Sequence, residues 1–230
     1  MFSDVFLAMT CQEMERFTAE KTAYMACHFS PFGVGLSNLP GPLPAGSILL
    51  LDDSTPPNGH SSGVVEKELK GLISRFGTAA VLLDFQGEMQ EESMAMAQHL
   101  TKVLPCPVAV TQMYAKELGC HVFLSPTPVN MALKDYIAPW QQQGIFLEIA
   151  PGAVQFTVAE NGSTSLSFVC TEELPLADER LHCHYNVEVF PQKAVFTLQR
   201  TKEDLKALAK EAAQLGVLGT VGLFQELYPT

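Results

Sequence analysis

From Ser47 onward, short apolar runs and segments of helical periodicity take turns along the chain, and this alternation narrows the fold more than any other feature. Ser47 to Asp53 is an apolar run ending in two acids, followed by a Pro-Gly-Ser-rich loop from Ser54 to Gly63. Val64 to Arg75 carries Val65, Leu69, Leu72 and Ile73 at helical spacing and leads into the run Ala79 to Gln86. Beyond it the pattern predicts a helix over Glu91 to Leu104, strands over Pro107 to Tyr114 and His121 to Ser125, a helix over Leu133 to Gln142 and a strand over Ile145 to Ile149. Such a succession implies a parallel sheet. Val154 to Val169 breaks the pattern. There, two strand-like runs flank Glu160-Asn161-Gly162-Ser163, and Asn-Gly readily takes the positive φ angles of a tight turn, so a β-hairpin insertion is expected near 154–169.

The run Gly77 to Gln86 bears most directly on chemistry. Side chains alternate along a strand, which puts Leu82, Asp84 and Gln86 on one face; that face begins as packed core and turns polar at its C-terminal end. The segment resembles the fourth barrel strand of the family 18 glycoside hydrolases, the chitinase-like and spore-cortex-hydrolase-like group, whose signature runs Asp-Gly-x-Asp-x-Asp-x-Glu. Here Ala79 stands for the first Asp, Ala80 for the Gly, Leu82 for the middle Asp and Gln86 for the Glu, while the last Asp is kept as Asp84. In the family the Glu donates a proton to the glycosidic oxygen, and the Asp two positions earlier holds the substrate's acetamido group during a substrate-assisted attack. Gln86 can hydrogen-bond in that place but has no acidic proton. A positioned general acid is worth about 10²–10⁴-fold in rate, so the resemblance implies a barrel that binds sugars far better than it cuts them.

The C-terminal segment carries a second resemblance to the same family. Ala194 to Leu198 reads as a strand, Thr201 as an N-cap with Asp204 at the third helical position, Lys202 to Leu215 as a helix, and Gly216 to Leu227 as the approach to the last strand. The family places a Gly-Gly-x-x-x-Trp strand there, its Trp flooring the sugar site. In this chain Thr220 stands for the second Gly and Phe224 for the Trp. Together the two resemblances span residues 47–230 and imply a single-domain (β/α)8 TIM-type barrel. Residues 1–46 must then supply the first two strands, over Val5 to Met9 and either Ala23 to His28 or Phe32 to Leu36; a barrel left incomplete at its N-terminus is the alternative.

A barrel builds its site from polar residues at the C-terminal ends of its strands. The ligand-binding candidates are Asp53, Asp84, Gln86, Glu88, Gln112, Tyr114, Glu148, Phe224 and Gln225, with no residue assigned as catalytic. Asp52 and Asp53 equally suit the capping of the turn after them. A tyrosine in such a place as Tyr114 is more often a core residue with its hydroxyl satisfied than a ligand contact. Glu88 lies two residues beyond Gln86 and would share its face if the strand ran on, but Gly87 argues for a turn. His182-Cys183-His184 suits a transition metal in residue type, yet neither Asp178 nor Glu179 lies at a diagnostic ligand spacing, so no metal and no cofactor is expected. No GxGxxG, P-loop, GxSxG or HExxH occurs.

Three function classes remain. The first is a non-catalytic barrel with a pocket for a carbohydrate or other small polar ligand; the second is an altered glycosidase using Glu88 or Glu148 with Asp84; the third is an interaction protein whose pocket has closed. With 25 acidic against 14 basic residues the chain carries a net charge of −11, which disfavours nucleic acid and anionic membrane as partners. The N-terminal segment has Asp4 in place of a basic n-region and no apolar run of spanning length occurs, so a cytoplasmic location is expected. Cys11, Cys27, Cys106, Cys120, Cys170 and Cys183 show no CxxC and are expected as free thiols.

Overall fold

The computed structural model describes residues 2–168 and 174–228. In chain order the strands are β1 (Val5–Met9), β2 (Thr22–Phe29), β3 (Leu36–Ser37), β4 (Ile48–Asp52), β5 (Ala80–Asp84), β6 (Val108–Thr111), β7 (His121–Leu124), β8 (Ile145–Glu148), β9 (Ala153–Ala159), β10 (Thr164–Phe168), β11 (Leu176–Asp178), β12 (Cys183–Phe190), β13 (Lys193–Gln199) and β14 (Gly219–Leu223). The helices are α1 (Cys11–Arg16), α2 (Ser62–Phe76), α3 (Glu91–Val103), α4 (Gln112–Leu118), α5 (Leu133–Ile137), α6 (Lys202–Gln214) and α7 (Phe224–Leu227). Strands β1, β2, β4, β5, β6, β7, β8 and β14 pair in that order, all parallel, and β1 pairs with both β14 and β2, so the ring closes. The fold is a closed eight-stranded (β/α)8 barrel. The N-terminus completes it: β1 and β2 come from Val5–Met9 and Thr22–Phe29, while residues 32–35 form a loop and Leu36 enters only the short antiparallel β3, which joins β2 beyond the end of β1.

Alternation sorts each strand's residues between two cores. Inward-facing Ala8, Ala23, Ile48, Leu50, Ala80, Leu82, Ala109, Phe123, Phe146 and Val221 fill the barrel, with alanines on four strands leaving room for the two phenylalanines. Outward residues such as Leu49, Leu51, Val81 and Leu83 pack beneath α2 and α3 in one cluster. Leu147 and Ile149 join Leu205, Leu208 and Ala212 of α6 in another. Buried on both sides, β4 and β5 have only Asp52 and Asp84 outside the fully buried class. Helix α2 buries Val65, Leu69, Leu72 and Ile73 and ends at Gly77, whose φ of 62° is a left-handed cap that a side chain would strain.

Three expectations change. Pro107 to Tyr114 is not one strand: β6 ends at Thr111, and Gln112 opens α4, a run of good helix formers closed by a left-handed Gly119. The helix expected over Leu133 to Gln142 stops at Ile137 and tightens into a 3₁₀ turn over Ala138–Trp140, where Pro139 cannot donate. The hairpin near 154–169 is real as β9 and β10, turned at Gly162 with φ of 79°, but it is part of a five-stranded antiparallel sheet in the order β10-β9-β13-β12-β11. Val169 and Cys170 lie outside the described residues.

That sheet is inserted between β8 and α6, and its two ends meet: the Arg200 N–H donates to the Gly152 carbonyl at 3.0 Å. The buried Arg200 guanidinium binds the carbonyls of Thr127, Pro128, Leu181 and His182, fixing the loop after β7 to the turn before β12. Register places three apolar rows on one face of the sheet. These are Phe168, Val154, Leu198, Tyr185 and Leu176; Leu166, Phe156, Phe196 and Val187; and Thr164, Val158, Ala194 and Val189. The other face carries Ser165, Ser167, Gln155, Thr157, Thr197, Asn186 and Glu188, with the buried Val195 and the exposed Phe190 among them. Val154, Leu198 and Cys183 of the apolar side pack on Val129 from the loop after β7.

Candidate functional site

At the C-terminal mouth the inward positions turn from apolar to acidic. Asp52 ends β4, Asp84 ends β5 and Glu148 ends β8, each in register above the buried interior residues of its strand. Gln86 follows Phe85 out of β5, and its Nε2 lies 3.1 Å from both oxygens of Asp84. Its backbone N–H donates to Asp53 Oδ1 at 2.9 Å, so Asp53 anchors the strand end, while Asp52 Oδ1 accepts from Ser54 N at 2.8 Å in a local turn. The Thr111 hydroxyl donates to the Phe85 carbonyl at 2.7 Å, and Gln112 Nε2 donates at 2.9 Å to the Tyr136 hydroxyl.

Two connected hollows use these groups. A central well of about 130 Å³ is lined by Asp52, Asp84 and Glu148 with Leu50, Phe123, Val221 and Leu223. Beside it an open cleft of about 650 Å³ runs over β5 to β8, lined by Asp84, Gln86, Gln112, Met113, Lys116, Ser125, Trp140 and Glu148. Asp84 and Glu148 line both. Burial, then the charges of Asp84 and Glu226, pushes the Glu148 carboxyl up to about 7. Asp84 is raised as well, by burial foremost, with the Gln86 amide opposing and Asp52 and Asp53 adding to the rise. Among the described residues no Lys or Arg pairs with either acid. The mouth therefore holds Asp52, Asp84 and Glu148 with no ion pair to any of them among the described residues; Asp84 is hydrogen-bonded to an amide, Glu148 takes up a proton near neutrality, and Lys116 lines the cleft beside them.

Comparison with known proteins adds the following. No family model matches the chain and no curated protein matches it. Among solved structures it is similar to a chitinase from Chromobacterium violaceum ATCC 12472 at 10% identity and a TM-score of 0.49, over 95% of this chain and 93% of that one. It is also similar to the spore cortex-lytic enzyme SleL of Bacillus cereus (9% identity, TM-score 0.46, 89% of this chain) and to that of Bacillus megaterium QM B1551 (9%, 0.41, 76%). The likeness is one of fold. The chain spans 63% and 55% of the length of the two SleL structures.

The expected site residues divide. Asp84, Gln86, Gln112 and Glu148 line the cleft, and Asp53 braces Gln86 from behind. Tyr114 does not reach the cleft: it is fully buried in α4, edge-on to Phe85, with its hydroxyl accepting from Gln90 N. Glu88 is exposed beyond Gly87, whose φ of 85° turns the chain away, so it does not share the face of Gln86. Phe224 and Gln225 lie in α7 rather than on the last strand. There Phe224 packs on Phe17 and Tyr228 at 4.9 and 5.5 Å, and Gln225 donates to Glu13 at 2.9 Å, around a separate recess between α1 and α7. The residue of β14 that faces the mouth is Leu223, in step with Val221. Lys116 and Trp140 of the cleft went unnoticed because each sits on a helix after its strand, outside the strand-end rule. His182 and His184 are engaged with Glu211 and Asp204 of α6, the latter at 2.9 Å.

Proposed function

We propose that the protein binds a carbohydrate or another small polar ligand at the barrel mouth and does not cleave it. The observation that carries this reading is the contact between Gln86 and Asp84: an amide occupies the place of the proton donor in the signature that β5 resembles, and it is held on the neighbouring carboxylate. The site keeps hydrogen-bonding capacity without the acid. An open cleft of about 650 Å³ is within the roughly 300–1,000 Å³ of small-ligand sites. Its carboxylates and amides suit sugar hydroxyls, and Trp140 offers a ring. Calorimetric titration with N-acetylglucosamine oligomers and peptidoglycan-derived glycans, alongside a fluorogenic hydrolysis assay, is the test. Expected are binding that Asp84→Ala weakens at least about tenfold and turnover no higher than a trace; absence of binding to every glycan and small polar ligand tried would remove the reading.

A second reading rests on Glu148. A carboxyl that is half protonated near pH 7, beside a second carboxyl, Asp84, that burial also raises but the Gln86 amide holds, offers the neutral acid that general acid chemistry uses. If the cleft does cut a glycosidic bond, Glu148 gives the proton and Asp84 faces the developing positive charge. Turnover abolished by Glu148→Gln and untouched by Glu88→Gln would move the assignment to this altered hydrolase.

A further inference from the structure

We propose that the chain self-associates through the apolar face of its inserted sheet, stacking that face on the same face of a second copy. The three rows carry no charged side chain, and their outer members are open to solvent: Phe168 is 87% exposed, Val189 80%, Leu166 55% and Leu176 46%. An antiparallel sheet ordinarily turns its apolar side to a core and its polar side to water. Here only Val154 and Leu198 in the middle of the row nearest the barrel, with Cys183 beside them, are buried against Val129. At roughly 150–250 Å² for a large side chain, the four most exposed members offer on the order of 500 Å², and the partly exposed centre of the sheet brings the face to roughly 700 Å². That exceeds the ~300–600 Å² patch of a typical monomer and approaches the ~800 Å² per partner of a stable interface.

A second copy is the occupant that fits. An apolar sheet face is satisfied by another sheet packed about 10 Å away and turned by about 30°, and a two-fold axis supplies one of equal size and equal apolar character. The face also contains both halves of a fit. A hollow of about 510 Å³ is floored by Phe156, Phe196 and Tyr185, while Phe168 and Val189 project at the margins. With a net charge of −11 two copies repel over most of their surface, and a face that among its described residues carries one carboxylate, Asp178, already held by the Arg180 and Leu181 N–H groups, is where approach costs least.

Sedimentation velocity of the full chain from about 5 to about 200 µM tests this. A dimer is expected at the upper end, with Val189→Lys and Leu166→Lys each weakening it at least about tenfold and Ser165→Lys, on the opposite face, leaving it unchanged. Circular dichroism melts check that the variants fold. Independently of any variant, the Val189 and Leu166 methyl resonances should shift on dilution while those of the buried Leu69 stay fixed. A chain monomeric throughout overturns the proposal, and binding of an apolar-surface dye by that monomer would assign the face to a different partner. A dimer that both lysine variants leave intact while folded overturns it as well.

Discussion

Glu148 makes the mouth sensitive to pH through one side chain. Its carboxyl ionises at about 7 in the folded protein against 4.5 ordinarily, so between those values the native state holds a proton that the unfolded chain has lost. Native stability therefore falls as pH rises from about 4.5 to about 7 and the loss is complete above it, on the order of 2–3 kcal/mol. Glu148→Gln should be about 2 kcal/mol more stable than the parent at pH 8 and nearly equal at pH 4.5; urea unfolding that gives one constant difference at both pH values would refute the assignment. Gln86→Glu sets a second carboxylate on Asp84, where the two must share a proton, and is expected to fold with a cost of about 1–2 kcal/mol at pH 8 that shrinks at pH 5. Adding Leu82→Asp places an acid at a fully buried interior position and should cost about 3–5 kcal/mol more in the same unfolding experiment. Hydrolysis of an N-acetylglucosamine oligomer by a folded double variant would show a disarmed glycosidase geometry beneath the present side chains.

At the scale of elements, the link between the inserted sheet and the barrel concentrates in Arg200 and the first turn of α6. Arg200→Met leaves four carbonyls without their donor in a buried place, and a loss of about 3–5 kcal/mol is expected in chemical denaturation. Thr201 caps α6 reciprocally with Asp204, which His184 also contacts, so Thr201→Ala should cost about 1 kcal/mol. The capping box was legible because its spacing is local. The barrel strands were legible for another reason: β4, β5 and β8 are apolar on both faces, as are β6 and β7 over Val108–Val110 and Val122–Leu124. Strand β11 is three residues long, and β12 carries His184, Asn186 and Glu188 between its apolar residues and is mostly only partly buried, so its alternation is not set off by a core, and the Asn-Gly turn makes the hairpin the part of this sheet that the sequence shows. Helix α4 was hidden by the apolar strand that runs directly into it. Strand β14 ends one residue before Phe224, which opens α7 and turns to Phe17 and Tyr228, so the mouth position falls to Leu223.

For the whole molecule, the chain enters and leaves the insertion at one narrow neck, and side chains of Arg200, Val129, His182 and His184 make further contacts across it. Because Gly152 and Arg200 are a hydrogen bond apart, replacing residues 153–199 by a short turn should leave a folded barrel with the cleft over Asp84 intact, checked by its near-ultraviolet dichroism and a cooperative melt. A non-cooperative melt of that deletion would mean that the sheet is a required part of the core. The closure of the ring by β1 sets a different kind of constraint. Val5 to Ala8 must find Thr220 to Leu223, and at the ribosomal rate of about 5–20 residues per second the partner emerges roughly 10–45 seconds after β1 does. During that interval the nascent chain carries one uncovered edge on β1 and, once it is made, another on β8. Both are short, four or five residues, which limits how well a stray strand could pair with them while the last one is being made.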